Sequence, residues 1–366
     1  MIIDIVKIFL PAVMAFVLGV LMTPILTNFL YKHEMWKKKS VAKTIDGRAA
    51  TISALLHKDE EKKTPRMGGI VVWGSTLITV VGIWLLAKFV GGLSAQAGET
   101  FMNLDFLSRN QTWVPLTALI IGALVGLIDD YLVTREIPEG SYIGGGLSLT
   151  KRLLVVGIIA LFSALWFYFK LDVATIGMPE IWPAIYLGAF FIPFFVLVIL
   201  AIYAGGVIDG IDGLSGGIFA TMFAAYGGIA FYQQQYDLAA FCATIVGAIL
   251  AFLWFNIPPA RYYMSDTGMM GLTITLGIVA FMTDSLGDGY GVLVLPIIAL
   301  PLVITVLSDI IQVLSKKFRG GKKVFLVAPI HHHFEAIGWP SYKVTMRYWI
   351  FGVICAILGI TLAIIG

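Results

Sequence analysis

The sequence predicts an all-α integral membrane protein, a single polytopic domain over residues 1–366 that folds as a bundle of about ten transmembrane helices. Composition is the first reason, because 59% of the residues are hydrophobic and 13% are charged, with a mean hydropathy of +0.91. Soluble domains carry about 25% charged residues. The second reason is that apolar stretches of the length needed to cross a bilayer, about 20 residues, recur along the whole chain.

We place the membrane spans on ten apolar stretches separated by polar loops. The third and eighth are short for a span, while the ninth contains Pro296 and Pro301. Because proline removes a backbone donor and bends a helix, we expect the ninth span to be broken. The first stretch is too long for a signal peptide and lacks a cleavage site, so we interpret it as a retained span. The predicted spans are 5–31, 68–90, 113–128, 152–169, 187–207, 214–232, 238–256, 268–283, 291–314 and 345–365.

Positive charge is gathered on one side of this predicted bundle. All but four of the 25 Lys and Arg residues lie in the loops on that side. Cytoplasmic loops carry such an excess, so these loops are predicted to face the cytoplasm. Since the number of spans is even, both termini are then predicted to be periplasmic. The exceptions are Lys7, Lys88, Arg109 and Lys170. The positively charged loops are 32–66, 129–152, 204–215, 256–267 and 315–347.

The same loops contain most of the side chains suited to chemistry. Asp129 and Asp130 end the third predicted span, where two adjacent carboxylates are costly unless they are solvated, paired or metal-bound. Neighbouring side chains on a helix point about 100° apart, so we expect the two to have separate tasks. A solvated helix end is the alternative.

Asp209 and Asp212 lie in the glycine-rich loop YAGGVIDGIDGLSGG, which covers residues 203–217. Their spacing of three predicts a shared helical face. The loop has no Lys or Arg to neutralise them. Paired carboxylates favour a cation, and ligands that are all oxygen favour Mg²⁺. A flexible turn with incidental acids is the alternative.

Asp266 stands at the start of the eighth predicted span, after a turn made rigid by Pro258 and Pro259. Asn256 precedes this turn and is expected to be a polar partner. A helix N-cap is the alternative role for Asp266.

The run APIHHHFE at 328–335 is the sharpest motif. Its three consecutive histidines cannot all reach one ion from a regular helix, but they can donate hydrogen bonds to several phosphate oxygens. A structural metal site is disfavoured because no cysteine or second histidine cluster completes a ligand set. Cys242 and Cys355 lie within spans and indicate packing rather than a disulfide. Lys151 and Arg152 are expected to bind phosphates as well.

Taken in order, these motifs resemble the polyprenyl-phosphate N-acetylhexosamine-1-phosphate transferases across nearly the whole chain. The HHHFE run narrows the resemblance to the bacterial phospho-N-acetylmuramoyl-pentapeptide-transferase branch. Each short motif is modestly specific, whereas the ordered set is highly specific. The stretches that carry the resemblance are TPRMGG (64–69), DDY (129–131), DGIDGL (209–214), 256–268 and 328–335 with Gly338-Trp339.

The resemblance implies a transferase of ten spans with both ends periplasmic, in agreement with the distribution of charge. It implies Mg²⁺-dependent transfer of phospho-MurNAc-pentapeptide from UDP-MurNAc-pentapeptide to undecaprenyl phosphate, which gives lipid I and UMP for peptidoglycan synthesis. The expected location is the bacterial cytoplasmic (inner) membrane, with the active site on its cytoplasmic face. The expected partners are the two substrates, the lipid bilayer and a second copy in a homodimer, with no nucleic acid.

Motif position implies a role for each matching residue. Asp266 corresponds to a magnesium ligand and Asp209 to another essential acid, and we expect Asp209 or Asp129 to assist in holding the metal. Asp129 and Asp130 match a pair implicated in binding or deprotonating the lipid phosphate. Asp212 matches a uracil contact, and Tyr263 an aromatic ring that stacks on the uracil. The expected catalytic residues are Asp129, Asp130, Asp209, Asp266 and His331. The expected substrate-binding residues are Asp212, Asn256, Tyr263, Lys151, Arg152, His332 and His333.

Several positions depart from the pattern of the family. Tyr203 and Gly206 stand where two asparagines are usual, and Val133 replaces a lysine. Arg66 replaces a threonine and Ser265 a glycine. None of these changes removes a carboxylate or a histidine, so the sequence predicts a divergent but active member.

Three other functions stay open. A sister transferase would move GlcNAc-1-phosphate from UDP-GlcNAc to polyprenyl phosphate; the histidine run disfavours it, and the missing asparagines favour it. A secondary transporter would place its acids at the bilayer midplane and contain a repeat, whereas these acids lie at span ends. A catalytically inactive scaffold is suggested only by Gly206 and Val133.

For the transferase, we prefer a single displacement over a covalent aspartyl-phosphate intermediate. The broken ninth span predicts a groove for the lipid acceptor.

Overall fold

The protein is a bundle of long helices, because a chain segment inside a bilayer must satisfy its own backbone hydrogen bonds. The computed structural model describes residues 2–37, 63–90, 102–108, 111–135, 146–179, 183–286 and 289–365. Most of the predicted inner loop 32–66 and the first two glycines of Gly144-Gly145-Gly146 lie outside these residues. The helices are α1 (Ile2–Lys32), α2 (Gly69–Val90), α3 (Trp113–Thr134), α4 (Leu149–Lys170), α5 (Phe191–Ala204), α6 (Leu214–Tyr232), α7 (Tyr236–Asn256), α8 (Ser265–Ser285), α9 (Gly291–Ile298), α10 (Leu300–Phe318), α11 (Ile330–Ala336) and α12 (Ser341–Ile365).

The predicted number of spans is confirmed for the described part of the chain. Nine helices are each long and apolar enough to cross a membrane, and α9 with α10 forms a further span bent by 65°. The bend lies between Pro296 and Pro301, as the sequence predicts for the ninth span. The side of the membrane on which the termini lie stays a prediction.

Several helices extend beyond the predicted apolar stretches, and two of them thereby include aspartates of the predicted site. α3 continues to Thr134 and so includes Asp129 and Asp130, while α8 begins at Ser265. The predicted spans were too short at these two ends, because the prediction assigned polar residues to loops. In the folded protein the polar residues at both ends are buried and bonded to other parts of the chain, so the helices continue through them.

The helix α8 forms the centre of the bundle. Every residue from 267 to 284 is buried, and α8 contacts α2, α3, α5, α6 and α9. Around it, α1 packs on α7, α6 lies against α7 and α12, and α4 packs on α5. A short antiparallel pair, β1 (Thr175–Ile176) and β2 (Ile185–Tyr186), follows α4.

Glycines allow α2 and α3 to approach the start of α8 closely. A Cβ atom at Gly126 of α3 would lie 2.0 Å from the carbonyl oxygen of Asp266. A Cβ atom at Gly69 of α2 would lie 2.3 Å from the backbone nitrogen of Gly268. Small residues of this kind permit helix contact in membranes, where packing rather than the hydrophobic effect drives association. The result is that the acidic end of α3 lies directly against the acidic start of α8.

We predict that Gly126→Ala forces α3 away from α8, since the added methyl group meets backbone that cannot rotate aside. Overpacking of this kind costs about 1–3 kcal/mol of stability. Thermal unfolding of the detergent-solubilised protein measures the effect. Gly157→Ala is the matched control, because a Cβ atom there meets nothing within 4 Å. Equal midpoints for the two variants would contradict the close contact between α3 and α8.

Candidate active site

The two adjacent aspartates of α3 are fully buried and have different partners, while their predicted separate tasks stay a prediction. The Asp130 carboxylate accepts bonds from the backbone nitrogen and the hydroxyl of Thr267, at 2.8 and 2.6 Å. Its other oxygen accepts a bond from Nε of Arg66 at 3.0 Å. Asp129 instead accepts a bond from the backbone nitrogen of Leu147 and pairs with Arg152.

Arg152 of α4 connects α3 to α8. Besides Asp129 it pairs with Asp266, with 3.1 Å between Nη1 and Oδ2. Asp266 is one-fifth exposed and lies in the first turn of α8, where the cap position belongs to Met264. Asp266 is therefore not a simple N-cap, and its carboxylate faces the cluster.

Asp209 joins the cluster from the glycine-rich loop. It accepts bonds from the Ser215 hydroxyl at 2.6 Å and from the backbone nitrogen of Ser265 at 2.8 Å. Burial raises the pKa of the Asp209 carboxyl, and these two bonds oppose the rise. Because Ser265 directly precedes Asp266 in the chain, this bond brings Asp209 close to Asp266.

The prediction that Asp209 and Asp212 share a helical face is wrong. A short 3₁₀ turn ends at Ile208, and α6 begins only at Leu214. Gly213 has a φ of 74°, a left-handed conformation that interrupts the helix at low cost only in glycine. Asp212 therefore points to another segment, where it accepts a bond from the backbone nitrogen of Ala260 at 2.9 Å.

Two of the three histidines face this loop. His331 is fully buried, and its ring centroid lies 4.3 Å from that of His332. A Cβ atom at Gly210 would lie 2.7 Å from Nε2 of His331 and 2.6 Å from Nε2 of His332. The glycine between the two acids thus permits close contact with both imidazoles. His333 lies elsewhere, since its Nδ1 accepts a bond from the backbone nitrogen of Leu326 at 3.3 Å.

Glu335 holds His332 from the side remote from Gly210. Its Oε2 lies 2.7 Å from Nδ1 of His332, and its Oε1 accepts a bond from the Ser341 hydroxyl at 2.7 Å. Nδ1 is therefore engaged, and Nε2 is the nitrogen that His332 presents to the loop.

The helix α10 positions the histidine helix through a buried polar face. Oε1 of Gln312 accepts bonds from the backbone nitrogens of Val324 and Phe325, both at 3.0 Å. The Ser308 hydroxyl accepts a bond from the backbone nitrogen of Ile330 at 2.9 Å, where α11 begins. The opposite face of α10 is apolar and exposed, with Leu307, Ile310, Ile311 and Leu314. The polar face of this helix thus packs inward and the apolar face lies outward.

The structure also gives the surroundings of three further predicted substrate-binding residues. Asn256 is buried; its Oδ1 accepts a bond from the Gly213 nitrogen at 3.0 Å, and its Nδ2 donates to the Tyr262 carbonyl at 2.8 Å. Tyr263 is half-buried beside the cluster, and Lys151 is exposed next to Arg152. Asn256 positions two loops here, and the substrate contacts of all three residues stay predictions.

Sequence reasoning missed several residues that build the site. Arg66, Thr267 and Ser215 bond to its carboxylates, while Glu335 and Ser341 support His332. Arg66 and Glu335 lie inside recognisable motifs, so the motifs could have indicated them. Nothing in the sequence marks Ser215 or Ser341, because their role depends on which segments meet in space.

Within the described residues, no three His, Cys, Asp or Glu side chains lie close enough together to surround a metal ion alone. This arrangement still suits Mg²⁺, which takes one or two carboxylates and completes its shell with waters and substrate phosphates. The available donors around Asp266 are carboxylate oxygens, the type that Mg²⁺ prefers.

Residues 112–284 match the family model described as glycosyl transferase family 4. The matched stretch contains the four carboxylates of the cluster but ends before the histidine helix. Among curated proteins, the chain is similar to relatives named phospho-N-acetylmuramoyl-pentapeptide-transferase. Identity with the relative from Listeria monocytogenes is 32%, over 84% of this chain and 87% of the relative. Identity with the relative from Geobacillus is 34%, over 83% and 85%. Identity with the relative from Bacillus pumilus is 30%, over 95% of both chains. The chain therefore belongs to the phospho-N-acetylmuramoyl-pentapeptide-transferase family of membrane transferases.

Proposed function

We propose that the protein transfers phospho-MurNAc-pentapeptide from UDP-MurNAc-pentapeptide to undecaprenyl phosphate, with lipid I and UMP as products. The observation that carries the proposal is the convergence of Asp129, Asp130, Asp209 and Asp266 at one end of the bundle, with His331 next to them. The names of the relatives support the choice of donor.

We further propose that the enzyme works as a homodimer in the bacterial cytoplasmic membrane, with this site on the cytoplasmic face. The concentration of Lys and Arg at the same end of the predicted bundle supports that orientation. Anionic substrates would reach the site through this positive region.

Charge supports a divalent cation as the cofactor. The cluster holds four carboxylates and two guanidinium groups, those of Arg66 and Arg152. With every group ionised, two negative charges are left, which one Mg²⁺ would balance. Asp266 would hold the ion with help from Asp209. When bound, the ion would offset the repulsion between two phosphorylated substrates and stabilise negative charge in the transition state.

The side chains have distinct tasks in the proposed reaction. An oxygen of the lipid phosphate forms a bond to the β-phosphorus of the donor, and the bond from that phosphorus to the bridging oxygen breaks, so UMP leaves. The lipid phosphate is already largely ionised at neutral pH, so a single displacement needs no strong base. His331 and His332 would bind phosphate oxygens through the Nε2 atoms that face Gly210. Asp212 and Tyr263 would bind the uracil.

The bent span supports a proposal for the lipid acceptor. Because α9 and α10 diverge by 65°, α10 leaves the bundle and exposes its apolar face. We propose that the polyprenyl chain lies along this opening, with its phosphate near Asp129 and Asp130.

We predict that Asp266→Asn lowers UMP release by at least about 100-fold, because a neutral amide is a much weaker ligand for a divalent cation. The assay uses the purified protein with Mg²⁺, UDP-MurNAc-pentapeptide and undecaprenyl phosphate. Chelation should abolish turnover in the unaltered protein, and added Mg²⁺ should restore it. Asp237→Asn is the matched control, since this acid pairs with Lys7 at the start of α7. Turnover that survives both chelation and Asp266→Asn would refute the metal proposal.

We predict that UDP-GlcNAc does not support UMP release under the same conditions. The HHHFE run with Gly338-Trp339, which resembles the muramoyl branch, and the names of the relatives favour the muramoyl donor. The measurement compares the two donors at equal concentration with one acceptor. Turnover with UDP-GlcNAc alone would make the sister transferase the correct assignment.

We predict that alanine at both Pro296 and Pro301 raises KM for undecaprenyl phosphate, because a straighter span would close the opening beside α10. The KM for a short-chain acceptor should change little, since a short chain needs less of this surface. Pro11→Ala, a proline within α1, serves as the control. An unchanged KM for the long acceptor would exclude the groove.

A further inference from the structure

Arg66 places a guanidinium group inside the carboxylate cluster. Its Nε donates to Oδ1 of Asp130 at 3.0 Å, and its side chain is one-quarter exposed. The same Asp130 carboxylate accepts two bonds from Thr267, the residue after Asp266, so the guanidinium is bonded to a carboxylate that contacts the start of α8. Within the described part of the chain, Asp130 is the only side chain to which Arg66 is bonded.

The backbone around Arg66 is fixed on both sides. The Arg66 nitrogen donates to the Met35 carbonyl at 2.8 Å. The Pro65 carbonyl accepts a bond from the Tyr263 nitrogen at 2.9 Å, and the Gly68 nitrogen donates to the Tyr263 carbonyl at 2.8 Å. The segment that carries Arg66 is thus paired with the residue expected to contact the nucleotide.

The side chain of Arg66 is held by its bond to the buried Asp130 carboxylate. Asp130 is fully buried, and its second oxygen is already bonded twice by Thr267. This carboxylate therefore has little freedom to turn, and it holds the guanidinium by Nε. None of the described residues is bonded to Nη1 or Nη2, so these two nitrogens can bind a ligand. Two parallel N–H groups of a guanidinium match the oxygens of a phosphate, and a group fixed in advance loses little entropy on binding.

We propose that Arg66 binds a phosphate group of a substrate through its terminal nitrogens, and that Asp130 is the positioning residue that holds it there. The inference rests on the proposed function, because the ligand is the phosphate of either the sugar-nucleotide donor or the lipid acceptor. A guanidinium at this place compensates for the repulsion that a phosphate would otherwise meet from Asp209 and Asp266.

The test compares Arg66→Lys with Arg66→Gln in the full-length protein. Lysine keeps the charge that neutralises Asp130 but lacks the paired N–H groups, so a purely structural role predicts near-normal kinetics for Arg66→Lys. Phosphate binding predicts that both variants raise KM by about 10-fold or more. Separate titrations of donor and acceptor identify the source, since only the KM of the substrate that contacts Arg66 should rise. Arg135→Gln is the matched control, because Arg135 is exposed near the end of α3 and bonds to Tyr131.

A second measurement separates this inference from the proposed function. Inorganic pyrophosphate with Mg²⁺ should raise the thermal midpoint of the unaltered protein and of Arg135→Gln by the same amount, and that of Arg66→Lys by clearly less at the same concentration. The thermal shift can be measured even if the protein turns over neither sugar nucleotide. Such a lack of turnover would overturn the proposed function but not the role of Arg66. An unaltered KM for both substrates in Arg66→Lys, or a full pyrophosphate shift in that variant, would overturn the role of Arg66. If Arg66→Gln does not fold, the KM values and the thermal shift of Arg66→Lys test the inference by themselves.

Discussion

The site depends on the pairing of buried carboxylates with two guanidinium groups. Asp129 and Asp130 are wholly removed from solvent, and an uncompensated charge in such a place costs several kcal/mol. Arg152 pairs with Asp129 and Arg66 with Asp130. Because each arginine comes from a different segment, the charge pairing also fixes how those segments are arranged. The contact of α3 with α8 through Gly126 provides the short distance that the bonds from Thr267 to Asp130 need.

The two ends of α8 show how differently a buried acid can be used. At one end, Asp284 accepts bonds from the backbone nitrogens of Gly177 and Val292, at 2.8 and 3.0 Å. Both of its oxygens are bonded to backbone that cannot move away, which suits a structural role. At the other end, Asp266 is partly exposed and pairs with Arg152, a long side chain that can change its position. An acid with a movable partner is the one that can exchange this partner for a ligand.

Much of the fold could be predicted from the sequence, because the membrane makes local composition decisive. The spans and the broken ninth helix follow from apolar length and proline position. The prediction that Asp209 and Asp212 share a helical face was wrong, because it assumed a continuous helix through Gly213. Gly213 instead adopts a left-handed conformation. The partners of the inward polar face of α10 could not be predicted either, because Gln312 bonds to the irregular segment before the histidine helix and Ser308 bonds to the first residue of that helix.

The sequence by itself determined the helices, the family and the types of residue available for chemistry, because each of these depends on neighbouring residues or on short ordered motifs. Only the tertiary structure decided which of those residues act together. Arg66 reaches Asp130 across 64 positions, and Thr267 reaches the same carboxylate across 137. No local pattern specifies such contacts, since they depend on how closely whole helices approach and on which buried charges must find a partner.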